Sequence, residues 1–282
     1  MPELPEVETI RRGLAPQVTG RRITSVTVRE PRLRWPVPAE FAGQLRGRYI
    51  TGTARRGKYL LLQLDAPPEA LATDQIIVHL GMSGRLLLVH PDAPLAKHDH
   101  LDLRLESASA APLVLRYHDP RRFGAVLFWP ASVAAHPLMA TMGPEPFSEA
   151  FSGEYLFARS RGKSAAVKTF VMDAGVVVGA GNIYAAESLF RAGIRPVRPA
   201  GKLSRAEYLR LAEQIRIVLD EAITQGGTTL RDFTGANGEA GYFQQDLYVY
   251  GREGRACRVC GTAIKGLRLG NRQSCYCPVC QR

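Results

Sequence analysis

The chain has 282 residues and 37 Lys and Arg against 26 Asp and Glu, a formal charge of +11 at neutral pH. That length suits two or three domains with cores of their own, and the charge points to an acidic partner, nucleic acid before anionic membrane. No apolar run approaches the ~20 residues that span a bilayer, and the acidic start lacks the basic and apolar regions of a signal peptide, so a cytosolic protein with no membrane partner is expected.

In chain order, Val7 to Leu14 reads as a short helix entered by Pro5. Seven strand-like segments follow: Ile23–Val28, Lys58–Leu64, Ile76–Leu80, Arg85–Val89, His100–Glu106, Leu113–Tyr117 and Ala125–Trp129. The clearest is His100–Glu106, where Leu101, Leu103 and Leu105 alternate with Asp102, Arg104 and Glu106. Gly81-Met-Ser-Gly84 between the third and fourth segments reads as a hairpin turn. Many strands and one early helix predict an antiparallel β-sandwich with a flanking helix.

Met142-Gly-Pro-Glu-Pro-Phe147 breaks the pattern, and the period then becomes helical. Ser148–Ser160, Ser164–Asp173, Ile183–Ala192 and Ser204–Gln225 are predicted helices. Ser204 with Glu207 forms a capping box, and Gly193 and Gly226 mark helix ends. Thr228 to Gln245 is polar, glycine-rich and without period, too long for a plain connector.

All five cysteines fall in the last segment. Cys257-x-x-Cys260 and Cys277-x-x-Cys280 have the spacing of a four-thiolate zinc ribbon, with zinc structural because no ligand position stays open. From Gly251 to Arg282 there are seven Lys and Arg against Glu253 alone. A metal-pinned hairpin with that charge predicts nucleic-acid contact. Cys275 stands two residues before Cys277 and is either a competing ligand or a free thiol.

Pro2 is the candidate nucleophile. Once Met1 is removed it offers a secondary amine, partly neutral at physiological pH because an α-amine titrates at about 7.7–8.0. Attack on an aldehyde-level carbon gives an iminium, an electron sink. Glu3 and Glu6 stand beside it as acid/base candidates. Lys58, after Gly57, is either a surface lysine or one aimed at a phosphate or leaving group. Met82, between glycines, is poorly placed for a core. Arg121 and Phe123 are either a surface arginine beside a core ring or a base partner and a wedge. Gly179-Ala-Gly-Asn182 ahead of a helix is a phosphate-site candidate or an ordinary capped turn. His98-Asp-His100 lacks the further ligands of a metal site.

Taken together, Met1-Pro-Glu-Leu-Pro-Glu-Val-Glu8, His79-Leu-Gly-Met-Ser-Gly84, Asp119-Pro-Arg-Arg-Phe-Gly124, Gly181-Asn-Ile-Tyr184 and the terminal ribbon resemble the bacterial formamidopyrimidine-DNA glycosylases over essentially the whole chain. The resemblance implies an α+β multidomain fold: a catalytic β-sandwich (1–132), a helix-two-turn-helix DNA-binding domain (133–227), a lesion-recognition loop (228–248) and a zinc finger (249–282). It implies a bifunctional glycosylase and AP lyase that excises oxidised purines, 8-oxoguanine and formamidopyrimidines, through a Schiff base at Pro2 and β,δ-elimination. Glu3 is the implied acid, Lys58 the proton donor in elimination, and Arg272 a phosphate contact linked to the second elimination. Met82, Arg121 and Phe123 are the implied insertion residues, and Arg122, His98, Lys163 and Asn182 further DNA contacts, with Lys168 another phosphate candidate. Arg231 and Tyr242 fall in the recognition loop. One Zn2+ per chain, duplex DNA carrying oxidised purines or abasic sites, and a monomer in the bacterial cytosol complete the expectation. Asp119-Pro-Arg-Arg-Phe123 separates this purine branch from its pyrimidine-preferring sister. The alternative from another class is a non-catalytic zinc-ribbon protein that binds damaged or bent DNA; an RNA-binding factor fits the charge too, but neither explains Pro2, Glu3 and Lys58 together.

Overall fold

The structure, a computed structural model, describes residues 2–66, 73–131, 136–226 and 247–282. They form two compact units, one running to Met139, the other from Ala140 to Thr224 and again through the finger.

The first unit begins with α1 (Leu4–Val18), which Pro5 starts without losing a hydrogen bond. Then come β1 (Arg22–Val28), α2 (Phe41–Leu45), β2 (Ile50–Arg56), β3 (Tyr59–Leu64), β4 (Gln75–His79), β5 (Arg85–Val89), β6 (Asp99–Glu106), β7 (Leu113–His118) and β8 (Ala125–Trp129). They make two four-stranded antiparallel sheets, ordered β1-β6-β7-β5 and β2-β3-β4-β8. Leu101, Leu103 and Leu105 of β6 meet Leu60, Leu62, Leu64, Ile76 and Val78 in one core, joined by Val7, Leu14 and Val18 of α1. The opposite face of β6 is not solvated throughout. Asp102 is buried there, bonded by Arg29 (2.6 Å) and by both Nε and Nη2 of Arg116 (3.0 Å each). The buried carboxylate is tolerated because it is paired.

Two features differ from the sequence expectation. β2 is a strand that alternation does not reveal, since past Ile50 none of its residues is fully buried. The predicted Gly81–Gly84 hairpin is instead a crossover between sheets. β4 pairs with β3 and β8, whereas β5 pairs with β7. The Gly84 amide donates to Leu80 O (2.8 Å) in a helix-like turn, and Gly81 takes φ +61°, which lifts the chain out of the first sheet.

The short α3 (Pro137–Ala140) falls at the boundary between the units, and in the second unit α4 (Gly153–Ser160), α5 (Val167–Met172), α6 (Asn182–Arg191) and α7 (Arg205–Gly226) pack around Phe151, Leu156, Val171, Tyr184, Leu189, Tyr208 and Leu211. α4 and α5 are shorter than predicted. Ser152 caps the first by accepting from the Tyr155 amide (3.1 Å). Ser204 and Glu207 make the expected capping box on α7 (2.7 and 3.3 Å). The finger hairpin is β9 (Lys265–Leu269) and β10 (Arg272–Tyr276), turned by Gly270-Asn271. Buried Glu187 of α6 accepts the amides of Tyr248, Val249 and Tyr250 (2.8, 3.0 and 2.8 Å), anchoring the chain that enters the finger. No helix among the described residues is long and apolar enough to cross a membrane.

Candidate functional site

Pro2 directly precedes Glu3, the N-cap of α1, which is 1% exposed. Glu3 and Glu6 make a capping box with carboxylates in both roles: the Glu3 side chain accepts from the Glu6 amide, and Glu6 Oε2 accepts from the Glu3 amide at 2.7 Å. Leu4 and Pro5, the next residues, are buried. The start of the chain is therefore fixed to a packed helix end.

Glu8, one turn further, collects three guanidinium groups: Arg11 (2.7 Å), Arg12 (2.9 Å) and Arg55 (3.2 Å). Burial alone would raise its pKa, but bonds from Arg11 and Arg12 and the charges of Arg11 and Arg55 win and hold it at about 2. Arg55, on β2, also donates to Gly57 O (2.9 Å). One arginine thus braces α1, which follows Pro2, and the Gly57-Lys58 turn into β3. Gly57 has φ +56°, the conformation that lets this two-residue turn place Lys58 just ahead of the strand.

Tyr59, the next residue, pairs with His79 at the end of β4. His79 Nδ1 accepts from the Gly81 amide (3.2 Å), so the neutral ring carries its proton on Nε2. Burial, then the positive charges of Lys58 and Arg34, push its pKa down to about 4. The lysine turn and the Met82 turn are thereby neighbours on one sheet.

Met82 and Phe123 are 42% and 44% exposed, and the Arg121 guanidinium lies 4.7 Å over the Phe123 ring. Two solvent-facing apolar side chains that a core would bury thus stand on adjacent loops, one of them under an arginine. Beneath them is Asp119, fully buried, which accepts from Ser83 Oγ (2.6 Å), Tyr117 OH (3.2 Å), the Arg121 amide (3.3 Å) and the Gly124 amide (3.0 Å). Arg122 has φ +53° and its guanidinium lies 3.2 Å from Glu30. His98 is partly exposed, with its ring 5.9 Å from that of His118 and 6.2 Å from that of His100. His100 is buried with Nε2 2.8 Å from Asp119 O, so the two histidines are not a metal pair.

In the second unit, exposed Lys163 follows Gly162 (φ +74°) after α4. Asn182 is the first residue of α6, after the extended N-cap Gly181. Lys168 is not a surface phosphate contact. It is 1% exposed, and its ammonium donates to Asn182 Oδ1 (2.7 Å), Ser274 Oγ (2.7 Å) and Gln273 O (3.4 Å). Asn182 Oδ1 is thereby committed, which leaves its amide NH2 as the donor to any ligand. Arg272 is exposed at the hairpin tip, the first residue of β10.

The four sulfurs of Cys257, Cys260, Cys277 and Cys280 lie within 4.8 Å of one another and are positioned to hold a metal ion. Cys257 and Cys280 are 3.9 Å apart and Cys260 and Cys277 3.4 Å. A tetrahedral ion with metal–sulfur bonds of ~2.3 Å requires sulfur separations of ~3.8 Å, so the set fits. Amides of Val259 and Cys280 donate to Cys257 Sγ (3.5 Å) and Cys277 Sγ (3.4 Å). Cys275 is buried in the finger core and outside the set.

The family model for the formamidopyrimidine-DNA glycosylase N-terminal domain matches residues 1–126, and that for the formamidopyrimidine-DNA glycosylase H2TH domain matches 142–234. The chain is 57% identical to the formamidopyrimidine-DNA glycosylase of Thioalkalivibrio sulfidiphilus and 55% to that of Pseudomonas aeruginosa, over all of both chains in each case. The chain belongs to the formamidopyrimidine-DNA glycosylase family. Among solved structures, Lactococcus lactis Fpg with DNA containing an abasic site is 33% identical with a TM-score of 0.86 over all of both chains. The same Fpg with Fapy-dG-containing DNA gives 0.85 at 33% identity, covering 99% of this chain and all of that one.

In this glycosylase-family chain, the first unit holds Pro2, Glu3, Lys58, Met82, His98, Arg121, Arg122 and Phe123, and the second Lys163, Asn182, Arg272 and the cysteines. Arg231, Tyr242 and nearly all of the predicted recognition loop lie outside the described residues. Sequence reasoning assigned no role to Asp119, Glu8, Arg55 and His79. For Asp119 a signal exists, since an acid between strand and Pro-Arg-Arg-Phe has backbone amides ahead of it to accept.

Proposed function

We propose that this protein is a bifunctional DNA glycosylase and AP lyase that removes oxidised purines, 8-oxoguanine and formamidopyrimidines, from duplex DNA and cleaves abasic sites. Family membership along the entire chain supports the reaction class. The observation that carries the residue assignment is Arg55, which ties the helix following Pro2 and Glu3 to the turn presenting Lys58.

In this reading Met1 is removed and the Pro2 nitrogen attacks C1′. The N-glycosidic bond breaks and the base leaves with a proton. Glu3 protonates the ring oxygen as the sugar opens, which leaves an iminium on Pro2. Loss of a C2′ proton expels the 3′-phosphate, and a second elimination expels the 5′-phosphate. Lys58 supplies protons in these steps, and Arg272 holds phosphate at the lesion. Met82, Arg121 and Phe123 enter the space the extruded nucleotide vacates; Arg122, His98, Lys163 and Asn182 bind the strand around it. Cys257, Cys260, Cys277 and Cys280 hold one structural Zn2+, which supplies rigidity to the finger and no catalysis. The division into a catalytic domain (1–132), a helix-two-turn-helix domain (133–227), a recognition loop (228–248) and a zinc finger (249–282), a monomeric state and residence in the bacterial cytosol belong to the same proposal.

The test is borohydride trapping on an 8-oxoguanine:C duplex, with the mature N-terminus checked by intact mass. A covalent adduct at Pro2, strand cleavage without borohydride, and loss of both in Pro2→Gly with lesion binding retained are expected. Lesion binding with neither adduct nor base release, from chains starting at Pro2, would leave a damage-binding protein. Preference for thymine glycol:A over 8-oxoguanine:C would overturn the purine assignment.

A further inference from the structure

We infer that Asp119 is a positioning residue that makes the Met82 turn and the Arg121–Phe123 loop one preassembled insertion unit. The inference rests on the reading that Met82, Arg121 and Phe123 enter DNA. The two segments come from different parts of the chain, and Asp119 is where they meet. Its Oδ1 accepts from Ser83 Oγ (2.6 Å) in the Met82 turn and from the Arg121 amide (3.3 Å). Its Oδ2 accepts from the Gly124 amide (3.0 Å) and from Tyr117 OH (3.2 Å) on β7. Ser83 Oγ in turn accepts from the Arg121 amide (3.3 Å), so the segments are also bonded directly.

The glycines give the same answer independently. A Cβ on Gly81 would lie 2.4 Å from the Phe123 carbonyl carbon, and one on Gly124 would lie 1.8 Å from Tyr117 OH and 2.3 Å from His79 O. One on Gly84 would lie 2.8 Å from Tyr117 OH. At Gly81 the two segments therefore pack backbone against backbone, and the Tyr117 hydroxyl fits directly against Gly84 and Gly124, contacts that only glycine permits. Asp119 itself is fully buried. Its role is to remove the ordering cost that two independent loops would each pay on entering the stack.

The chemistry requires a carboxylate. An Asn amide turns one acceptor into a donor. The hydroxyls of Ser83 and Tyr117 can rotate away, but a backbone N–H cannot. Whichever way the amide lies, the Arg121 or the Gly124 N–H then faces another N–H.

The experiment compares Asp119→Asn, Met82→Ala and the double variant, all full length and zinc-loaded. Insertion is read from 2-aminopurine fluorescence beside a tetrahydrofuran abasic analogue, and cleavage from abasic sites in duplex and in single-stranded DNA. Asp119→Asn is expected to slow insertion and to lower the duplex-to-single-strand cleavage ratio about tenfold, and Met82→Ala to add less than about twofold to it. Equal losses on duplex and single strand, or fully multiplicative effects, would overturn the inference by reducing Asp119 to general fold support. Should Asp119→Asn fail to fold, Ser83→Ala is expected to shift the same ratio in the same direction, and an unchanged ratio there overturns it. If Met82→Ala and Phe123→Ala both leave duplex cleavage and the fluorescence change intact, the insertion reading itself falls, which is a different result from failure of the carboxylate's role.

Discussion

Replacing Glu8 with Gln tests how the helix that follows Pro2 is held. The carboxylate sits among Arg11, Arg12 and Arg55, and its pKa falls from 4.5 to about 2. A depressed pKa stabilises the fold fully above the unfolded value and loses that contribution as pH falls from 4.5 toward 2. The drop corresponds to about 3 kcal/mol at neutral pH, reduced to roughly 2–3 by the 10% of the side chain left in solvent. Gln mimics the protonated acid and leaves the guanidinium groups without a counter-charge. Arg12 is half exposed and can turn to water, but Arg55 is only 11% exposed and cannot. Urea unfolding of both proteins between pH 7 and pH 3.5 should give a stability gap of about 2–3 kcal/mol near neutrality, narrowing by about 1.4 kcal/mol per pH unit below the unfolded pKa. A gap that stays constant across that range would refute the ionic account. Because Arg55 also holds Gly57 O, strand cleavage should fall further than lesion binding in the same variant.

Three other outcomes follow from the geometry. Zinc chelation, or Cys260→Ser, should cut DNA affinity at fixed salt, whereas Cys275→Ser should keep zinc and affinity, as metal analysis with titration of labelled duplex would show. Gly124→Ala should cost at least about 1–3 kcal/mol in denaturant unfolding, because a Cβ there would overlap Tyr117 OH and His79 O. Lys168→Met should weaken binding of undamaged and damaged duplex alike, since it frees the Asn182 amide to turn over; selective loss of damaged DNA alone would contradict that placement.

Local chemistry made much of this legible in the sequence. The leucine alternation of His100–Glu106 gave β6, Ser204 with Glu207 gave the start of α7, and the double CxxC gave the thiolate cluster, because each is decided within a few residues. Long-range pairing was not legible. Gly81–Gly84 reads equally well as a hairpin or a crossover, and only the partners of β4 and β5 choose between them. Ile50–Arg56 lacks alternation because its residues beyond Ile50 are only partly covered. Lys168 looked like a phosphate ligand because nothing near it in sequence shows that Ser274 and Gln273, over a hundred residues away, supply its acceptors. The family resemblance singled out the residues proposed to touch DNA or reacting atoms, but not the buried acids Asp119 and Glu8.

The ammonium of Lys168 bonds at once to the residue that opens α6 and to the strand carrying Arg272. With the proposed DNA contacts of Asn182 and Arg272 and the proposed metal in the finger, metal and nucleic acid become ligands of one linked equilibrium, and linkage is reciprocal. Whatever affinity for the strand is gained when the finger is loaded must be returned as tighter retention of the ion when the strand is bound. A repair enzyme built this way is best protected against losing its metal while it is on DNA, and most exposed to chelators while it is searching.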